Sequence, residues 1–376
     1  MADRIVAILR ELIAVNSINA TLSGGPGEQE IAAWIQAHMV RLGFEASVQT
    51  VAADCANVVA RVPGRGPGAP TLLNGHIDTV ATEGMPAAFA LREDGDRLYG
   101  RGVYDMKGGV AVMLRLAEHW IRTPPARDVW LTFSGDEEDR SRGTESLVSA
   151  WLPTLPQAPS AAIVLEPTEE ALGVAHKGFT WFEVEVLGRA AHGSRPEQGV
   201  DAILPLRAAL AELDGIDSGL RSRPPDALLG TASLHGGRIE GGTELSVIPA
   251  RARLQWERRT LPEEAAADVD RELDRVAAAV TALPGGHTVT ARRIFGRPPY
   301  RCPAESGLLR RLRQALPDAP LAGLSFWADS ALIGLAGVPC VLFGPAGHGA
   351  HAIDEWVSRR SLLRVYEVLR DLLGKE

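Results

Sequence analysis

Four apolar runs in this chain each lead into a residue able to bind a cation or move a proton. Thr71-Leu-Leu-Asn74 runs into Gly75-His76-Ile77-Asp78, and Val129-Trp-Leu-Thr-Phe133 runs into Gly135-Asp136-Glu137-Glu138. Ala161-Ala-Ile-Val-Leu165 is followed by Glu166, and Val338-Pro-Cys-Val-Leu-Phe343 by Gly344-Pro345 and a loop bearing His348 and His351. Short continuous apolar runs read as strands buried on both faces, as in a parallel sheet covered by helices. Open sheets of this kind gather ligands beyond the carboxyl ends of their strands. The expectation is an α/β protein with a site, most simply a metal site, assembled from distant segments.

The intervening segments fit that frame. Residues 1 to about 50 read as largely helical, with Glu28–Leu42 ending at Gly43. Residues 57–62 read as a strand, and Gly108–Arg122 and Thr144–Trp151 as helices. After Gly178 the period changes to two: Phe182, Val184 and Val186 alternate with Trp181, Glu183 and Glu185, the pattern of a half-exposed strand. A helix over Asp201–Leu213, strands near Ala232–Ile239 and Ala252–Glu257, a helix over Pro262–Leu283 and a strand over His287–Ile294 complete the order β-α-β-β-α-β. That is a split-βαβ, ferredoxin-like α+β unit. The chain is therefore expected to form a three-layer domain with a mostly parallel sheet from residues 1–177 and 295–376, carrying an inserted domain at 178–294. Helix Ala304–Leu316 and a C-terminal helix from Ser358 return to the first domain.

Composition narrows the partners. A chain of 376 residues, 45% hydrophobic and 23% charged, is ordinary for a globular protein of two domains. Its formal net charge of −8 argues against nucleic acid and against an anionic membrane surface. Cys55, Cys302 and Cys340 have no paired spacing and read as small buried hydrophobes. Ile5, Ile8, Leu9 and Leu12, interleaved with charges, suggest an amphipathic helix and not a signal peptide. With no run long enough to span a bilayer, the expectation is a cytoplasmic protein. Gly100–Gly109 lacks the Gly-Lys-Ser/Thr ending of a phosphate loop, and no Gly-x-Gly-x-x-Gly follows an early strand.

Taken singly, each polar residue has a plainer role. His76 and Asp78 suit a ligand imidazole and the carboxylate that orients it, or a surface loop. Asp105 is placed to bridge two cations, or to cap the helix after it. Of Glu137 and Glu138, one can ligate while the other accepts a proton from water, or both line a solvated acidic turn. Glu166 sits at a strand end; His351 and His348 compete for one ligand role. His192, in Gly188-Arg-Ala-Ala-His192-Gly-Ser-Arg-Pro196, is a turn histidine unless it reaches a site across a domain or subunit boundary.

Together, the strings Asn74-Gly-His-Ile-Asp-Thr-Val80, Gly100–Gly109, Gly135-Asp-Glu-Glu138, Glu166-Pro-Thr168, Gly188–Ser194 and Gly344-Pro…His351…Glu355 resemble, in order, the two-zinc amidohydrolase and exopeptidase family. That family includes acetylornithine deacetylase, succinyl-diaminopimelate desuccinylase, aminoacylase and glutamate carboxypeptidase. The resemblance implies two Zn2+ per subunit, with Co2+ or Mn2+ as substitutes. One would be bound by His76, Asp105 and Glu166, the other by Asp105, Glu138 and His351. It implies Glu137 as general base and proton donor, and Asp78 as the residue orienting His76. His192 would reach the active site of a partner subunit, in a homodimer formed through the inserted lid domain. Arg259, chosen over Arg258 by its spacing to Pro262, would grip the carboxylate of a small N-acyl amino acid or short peptide. The implied reaction is amide hydrolysis of an N-acyl amino acid, with a dipeptidase or carboxypeptidase as the alternative. A non-catalytic binding relative is disfavoured because every candidate base and ligand is present. Ala20 and Ser246 depart from the family pattern, in which Pro and Asn are common, and leave substrate identity open.

Overall fold

The computed structural model describes residues 2–375. It divides into two units. The first comprises the chain up to Val174, Cys302–Ala322 and Ala328 onward; the second is Ala175–Arg301 with Gly323–Trp327.

The core of the first unit is a sheet with strands in the order Glu45–Thr50, Ala56–Val62, Val129–Ser134, Thr71–His76, Ala161–Val164, Cys340–Leu342 and Leu172–His176, the last crossing into the second unit. The four strands from Val129–Ser134 to Cys340–Leu342 are mutually parallel. Their flanking neighbours run antiparallel. Every residue of Thr71–His76 and of Ala161–Val164 is buried. Successive side chains point to opposite faces, so both faces are covered. That explains the unbroken apolar runs.

Helix Lys107–Trp120 packs on this sheet at very close range. A Cβ at Gly75 would lie 3.0 Å from the Met106 methyl, and one at Gly109 would lie 2.9 Å from Leu165 Cβ. Glycine at both positions lets the helix approach the strand ends. Lys107, at the start of the helix, is fully buried and donates to the carbonyls of Leu12 and Val15, each at 3.0 Å, at the end of helix Ala2–Ala14. Burial pushes its pKa down to about 7, against the opposing pull of Glu355 and Asp78.

The second unit is an antiparallel sheet in the order Ser233–Gly241, Arg251–Thr260, Gly178–Leu187, Thr288–Arg297, with helices Leu206–Arg221 and Ala266–Thr281. Phe182, Val184 and Val186 pack with Ala209, Leu213, Ile216, Val276 and Val280 to form its core. This strand order is that of the split-βαβ sandwich.

Several element boundaries differ from the sequence reading. The helix expected from Asp201 begins at Leu206, because the Asp201 carboxylate takes the N–H groups of Ile203 and Leu204 in a turn of its own. The helix expected from Pro262 begins at Ala266, because Glu264 folds back onto the Leu261 N–H. The expected helix 144–151 is an α-turn, Arg142–Ser146, followed by a π-turn, Leu147–Trp151. Residues 1–50 are less helical than expected: Ala20–Ser23 is a single turn and Glu45–Thr50 is a strand. Glu183 is not half-exposed but buried, held by Gln255 at 2.7 Å and Arg292 at 2.8 Å.

His176 of the second unit is fully buried beside Tyr300 and Trp327, with Nδ1 3.0 Å from the Lys177 carbonyl. Burial pushes its pKa down to about 4, although the Lys177 carbonyl opposes the shift. An unfolded chain takes up this proton below about pH 6.5, whereas the folded one refuses it until about pH 4. The neutral imidazole therefore contributes full stability above pH 6.5, which is lost as pH falls through that window, by roughly 3 kcal/mol. Urea unfolding at pH 7 and at pH 4 is expected to show a smaller acid-induced drop in His176→Gln than in the unaltered protein. An equal drop would sink the assignment.

Candidate metal centre

The four parallel strands end at one edge of the sheet, and the polar residues beyond them meet there. His76 is the last residue of its strand, Glu137 and Glu138 follow Ser134 by three and four positions, and Glu166 follows Val164 by two. Asp105 comes from the loop before helix Lys107–Trp120, and His351 from the loop after Cys340–Leu342.

Asp105 sits between the two imidazoles. Its Oδ1 is 3.0 Å from His76 Nε2, and its Oδ2 is 3.3 Å from His351 Nε2. Glu166 Oε1 is 3.8 Å from His76 Nε2, and Glu138 Oε2 is 2.8 Å from His351 Nε2. Donor atoms of His76, Asp105 and Glu138 lie within 4.8 Å of one another, as do those of His76, Glu137 and Glu166. Glu137 thus shares the ligand cluster around His76.

Asp78 is fully buried and organises the acidic turn. Its Oδ1 accepts the Glu137 N–H, and its Oδ2 the Glu138 N–H, each at 3.1 Å. His76 Nδ1 is closer to the Asp78 carbonyl, at 3.1 Å, than to its carboxylate, at 3.5 Å. His348 is exposed and faces Asp354 at 3.9 Å, so of the two competing histidines only His351 joins the cluster. His351 reaches it from a left-handed backbone conformation, φ 65°.

The electrostatics describe a site short of positive charge. Burial drives the Glu137 carboxyl well above its ordinary value; His76 opposes this, and Glu166, Asp329 and Glu138 reinforce it. Burial likewise raises Glu166 strongly and brings Glu138 up to about 7, with Asp105 adding to both. Burial alone would lower His76, yet Glu166, Asp105 and Asp78 hold it well above normal. Asp105 and Glu138 bring His351 up to about 10. Asp105 is pulled down by His351 and His76 despite its burial. Glu138 Oε1 is buried with no hydrogen-bond partner among the described residues. Carboxylates that crowd one another, imidazoles that bind protons tightly and an orphaned oxygen all fit a resident cation. Oxygen and nitrogen donors without thiolate suit zinc, cobalt or manganese.

Other residues escaped the sequence reading. Asn19 donates to Asp78 at 2.9 Å and to Asp136 at 3.1 Å, and Arg142 Nε donates to Asp136 at 2.7 Å, so the turn before Glu137 is pinned from below. Asp329 is buried and accepts from Ser134 at 2.9 Å and Thr144 at 2.6 Å. Burial brings it to about 6 in spite of the Thr144 and Ser134 hydroxyls. No apolar run delivers Asp329, and an Asp ahead of a short helix reads simply as a cap.

His192 and Arg259 belong to the second unit. His192 is exposed, with Nδ1 2.7 Å from Ser194 Oγ. Arg258 is fully buried, donating to Glu272 at 2.9 Å, to Glu264 at 2.5 Å and to the Arg259 carbonyl at 2.5 Å. Arg259 lies on the other side of the strand. Its Nε is held by Glu257 at 2.6 Å, its guanidinium lies 5.5 Å from the Phe179 ring centre, and its two terminal nitrogens have no partner among the described residues.

A mostly parallel sheet that gathers imidazoles and carboxylates around one central aspartate is the build of a metal-dependent hydrolase. The model of peptidase family M20/M25/M40 matches residues 72–375, and the chain belongs to that family. It is 28% identical over 361 residues to acetylornithine deacetylase of Erwinia tasmaniensis, covering 94% of this chain and 92% of that protein. Among solved structures, a tripeptidase from Staphylococcus aureus superposes with a TM-score of 0.80 at 18% identity, covering 100% of this chain and 98% of that one. A dinuclear metal binding peptidase of the M20 family from Bacillus subtilis superposes with a TM-score of 0.73 at 17% identity, covering 99% and 97%. The α/β fold class and the family resemblance read from the sequence both hold.

Proposed function

We propose that this protein hydrolyses the amide bond of an N-acyl amino acid, with two zinc ions per chain and Co2+ or Mn2+ as substitutes. His76, Asp105 and Glu166 would hold one ion, and Asp105, Glu138 and His351 the other. The observation that carries the reading is Asp105, with one carboxylate oxygen toward each imidazole. When bound, such a cation pair lowers the pKa of water and polarises the scissile carbonyl. Glu137 takes the proton of the attacking water and returns it to the leaving nitrogen. Asp78 fixes the backbone that carries Glu137. His192, reaching the active site of a partner subunit, would donate to the developing oxyanion, a contact worth about 3 kcal/mol in comparable sites. Arg259, oriented by Glu257, pairs with the substrate carboxylate through its open fork.

The full-length relationship to an acetylornithine deacetylase supports the deacylase reading. The likeness to a tripeptidase keeps a peptidase acting on short peptides as the second. We further infer a homodimer through the inserted lid domain at 178–294. Leu204, Leu210, Ile239 and Leu245 are exposed there, and strand Ser233–Gly241 has one unpaired edge. Cys55, Cys302 and Cys340 are all buried and none is recorded in a disulfide among the described residues, which supports a reducing, cytoplasmic setting. No helix among the described residues is long and apolar enough to cross a membrane.

Purified protein is expected to carry close to two transition-metal ions per chain, to lose turnover on chelation and to regain it with Zn2+ or Co2+. In a panel of acetyl-amino acids and dipeptides, preference for the former supports deacylation, and preference for the latter establishes the second reading. Failure of metal-loaded protein to hydrolyse either overturns both.

A further inference from the structure

Glu355 ends the last of the strings that mark the family, yet in the proposed centre it holds no ion. Its side chain is 1% exposed and it accepts four hydrogen bonds. Oε1 takes the N–H groups of Tyr104 at 2.9 Å and Asp105 at 3.2 Å; Oε2 takes the Gly102 N–H at 2.9 Å and Arg101 Nη1 at 2.7 Å. Arg101, itself buried, extends the connection: Nη2 donates to the His351 carbonyl at 3.4 Å, and Nε to the Ala81 carbonyl at 3.0 Å. The carboxylate thus gathers the loop that presents Asp105, and its arginine partner grips the backbone that presents His351. That backbone is left-handed, a conformation that L side chains adopt only when neighbouring contacts over-determine it.

We propose that Glu355 and Arg101 are positioning residues that set Asp105 and His351 against each other, and so set the affinity for the ion those two share with Glu138. The inference rests on the two-ion reading. Glutamine at 355 would present an amide N–H₂ to a nest of donors and lose the charge that holds Arg101. Partners one step behind metal ligands commonly change affinity by about 10- to 100-fold.

The test is titration of Co2+ into metal-free protein, followed by visible absorption, which reports ligand geometry independently of turnover. The unaltered protein is expected to bind two ions. Glu355→Gln should weaken one of the two steps by at least about tenfold, and that step more than the other, with a changed spectrum for that ion. Arg101→Lys, which keeps a cation beside Glu355 but loses the fork, should weaken the same step less, and it carries the test if Glu355→Gln fails to fold. Two steps of unaltered affinity in the variants, or an equal weakening of both, overturn the proposal. Fewer than two ions in the unaltered protein overturn the two-ion reading itself, and this inference with it.

Discussion

Glu137→Gln protein is expected to lose about 10³-fold in kcat, within the usual range for removing a general acid–base group, while retaining its full metal content. Glutamine keeps the size and one acceptor oxygen of the side chain but cannot take a proton from water. The backbone at this position is fixed independently, since Asp78 binds the N–H groups of Glu137 and Glu138 and Asn19 ties Asp78 to Asp136. The substitution should therefore leave the turn in place. Elemental analysis of the purified variant decides the role. Glu137 shares a donor cluster with His76 and Glu166, so a variant that arrives with less metal would make Glu137 a ligand and leave the base unassigned.

Adjacent arginines in the second unit should respond in opposite ways. Arg258→Ala leaves Glu264 and Glu272 without their buried cation, and breaking such a buried pair costs about 3–5 kcal/mol. Urea unfolding should show a loss of that order. Arg259→Lys removes only a half-exposed fork held on one side by Glu257, and stability should stay within about 0.5 kcal/mol. In the proposed role its effect falls on substrate binding, because a point charge cannot reproduce two parallel bonds to a carboxylate. KM for a carboxylate-bearing substrate should rise by about tenfold or more, the worth of one charge-assisted hydrogen bond. A variant in which Arg259→Lys destabilises the fold and leaves KM unchanged would reverse the two assignments.

The parts of this architecture that follow a period could be read from the chain. Thr71–His76 and Ala161–Val164 are buried on both faces, so their sequences are apolar throughout, and the residues just beyond them fall at the edge where a parallel sheet binds ligands. What escaped was set by single side chains, some capturing nearby backbone and some meeting partners far away in sequence. Asp201 captures two N–H groups and delays a helix by a turn. Asp329 meets Ser134 and Thr144 from nearly two hundred residues away, and Glu355 meets Gly102 and Tyr104 from farther still. None of these contacts leaves a repeat or a run to detect. His348 and His351 were indistinguishable by spacing, and a left-handed turn in the backbone separates them.

The wide scatter of the proposed ligands along the chain has a consequence for biogenesis. His76 is made long before His351, and the strand that leads to His351 pairs with Ala161–Val164 far upstream. A growing polypeptide on the ribosome would thus own the three proposed ligands of one ion long before the last proposed ligand of the other. Loading of the ion that His351 helps to hold would wait until that histidine is made, and binding would then favour the closed fold by mass action.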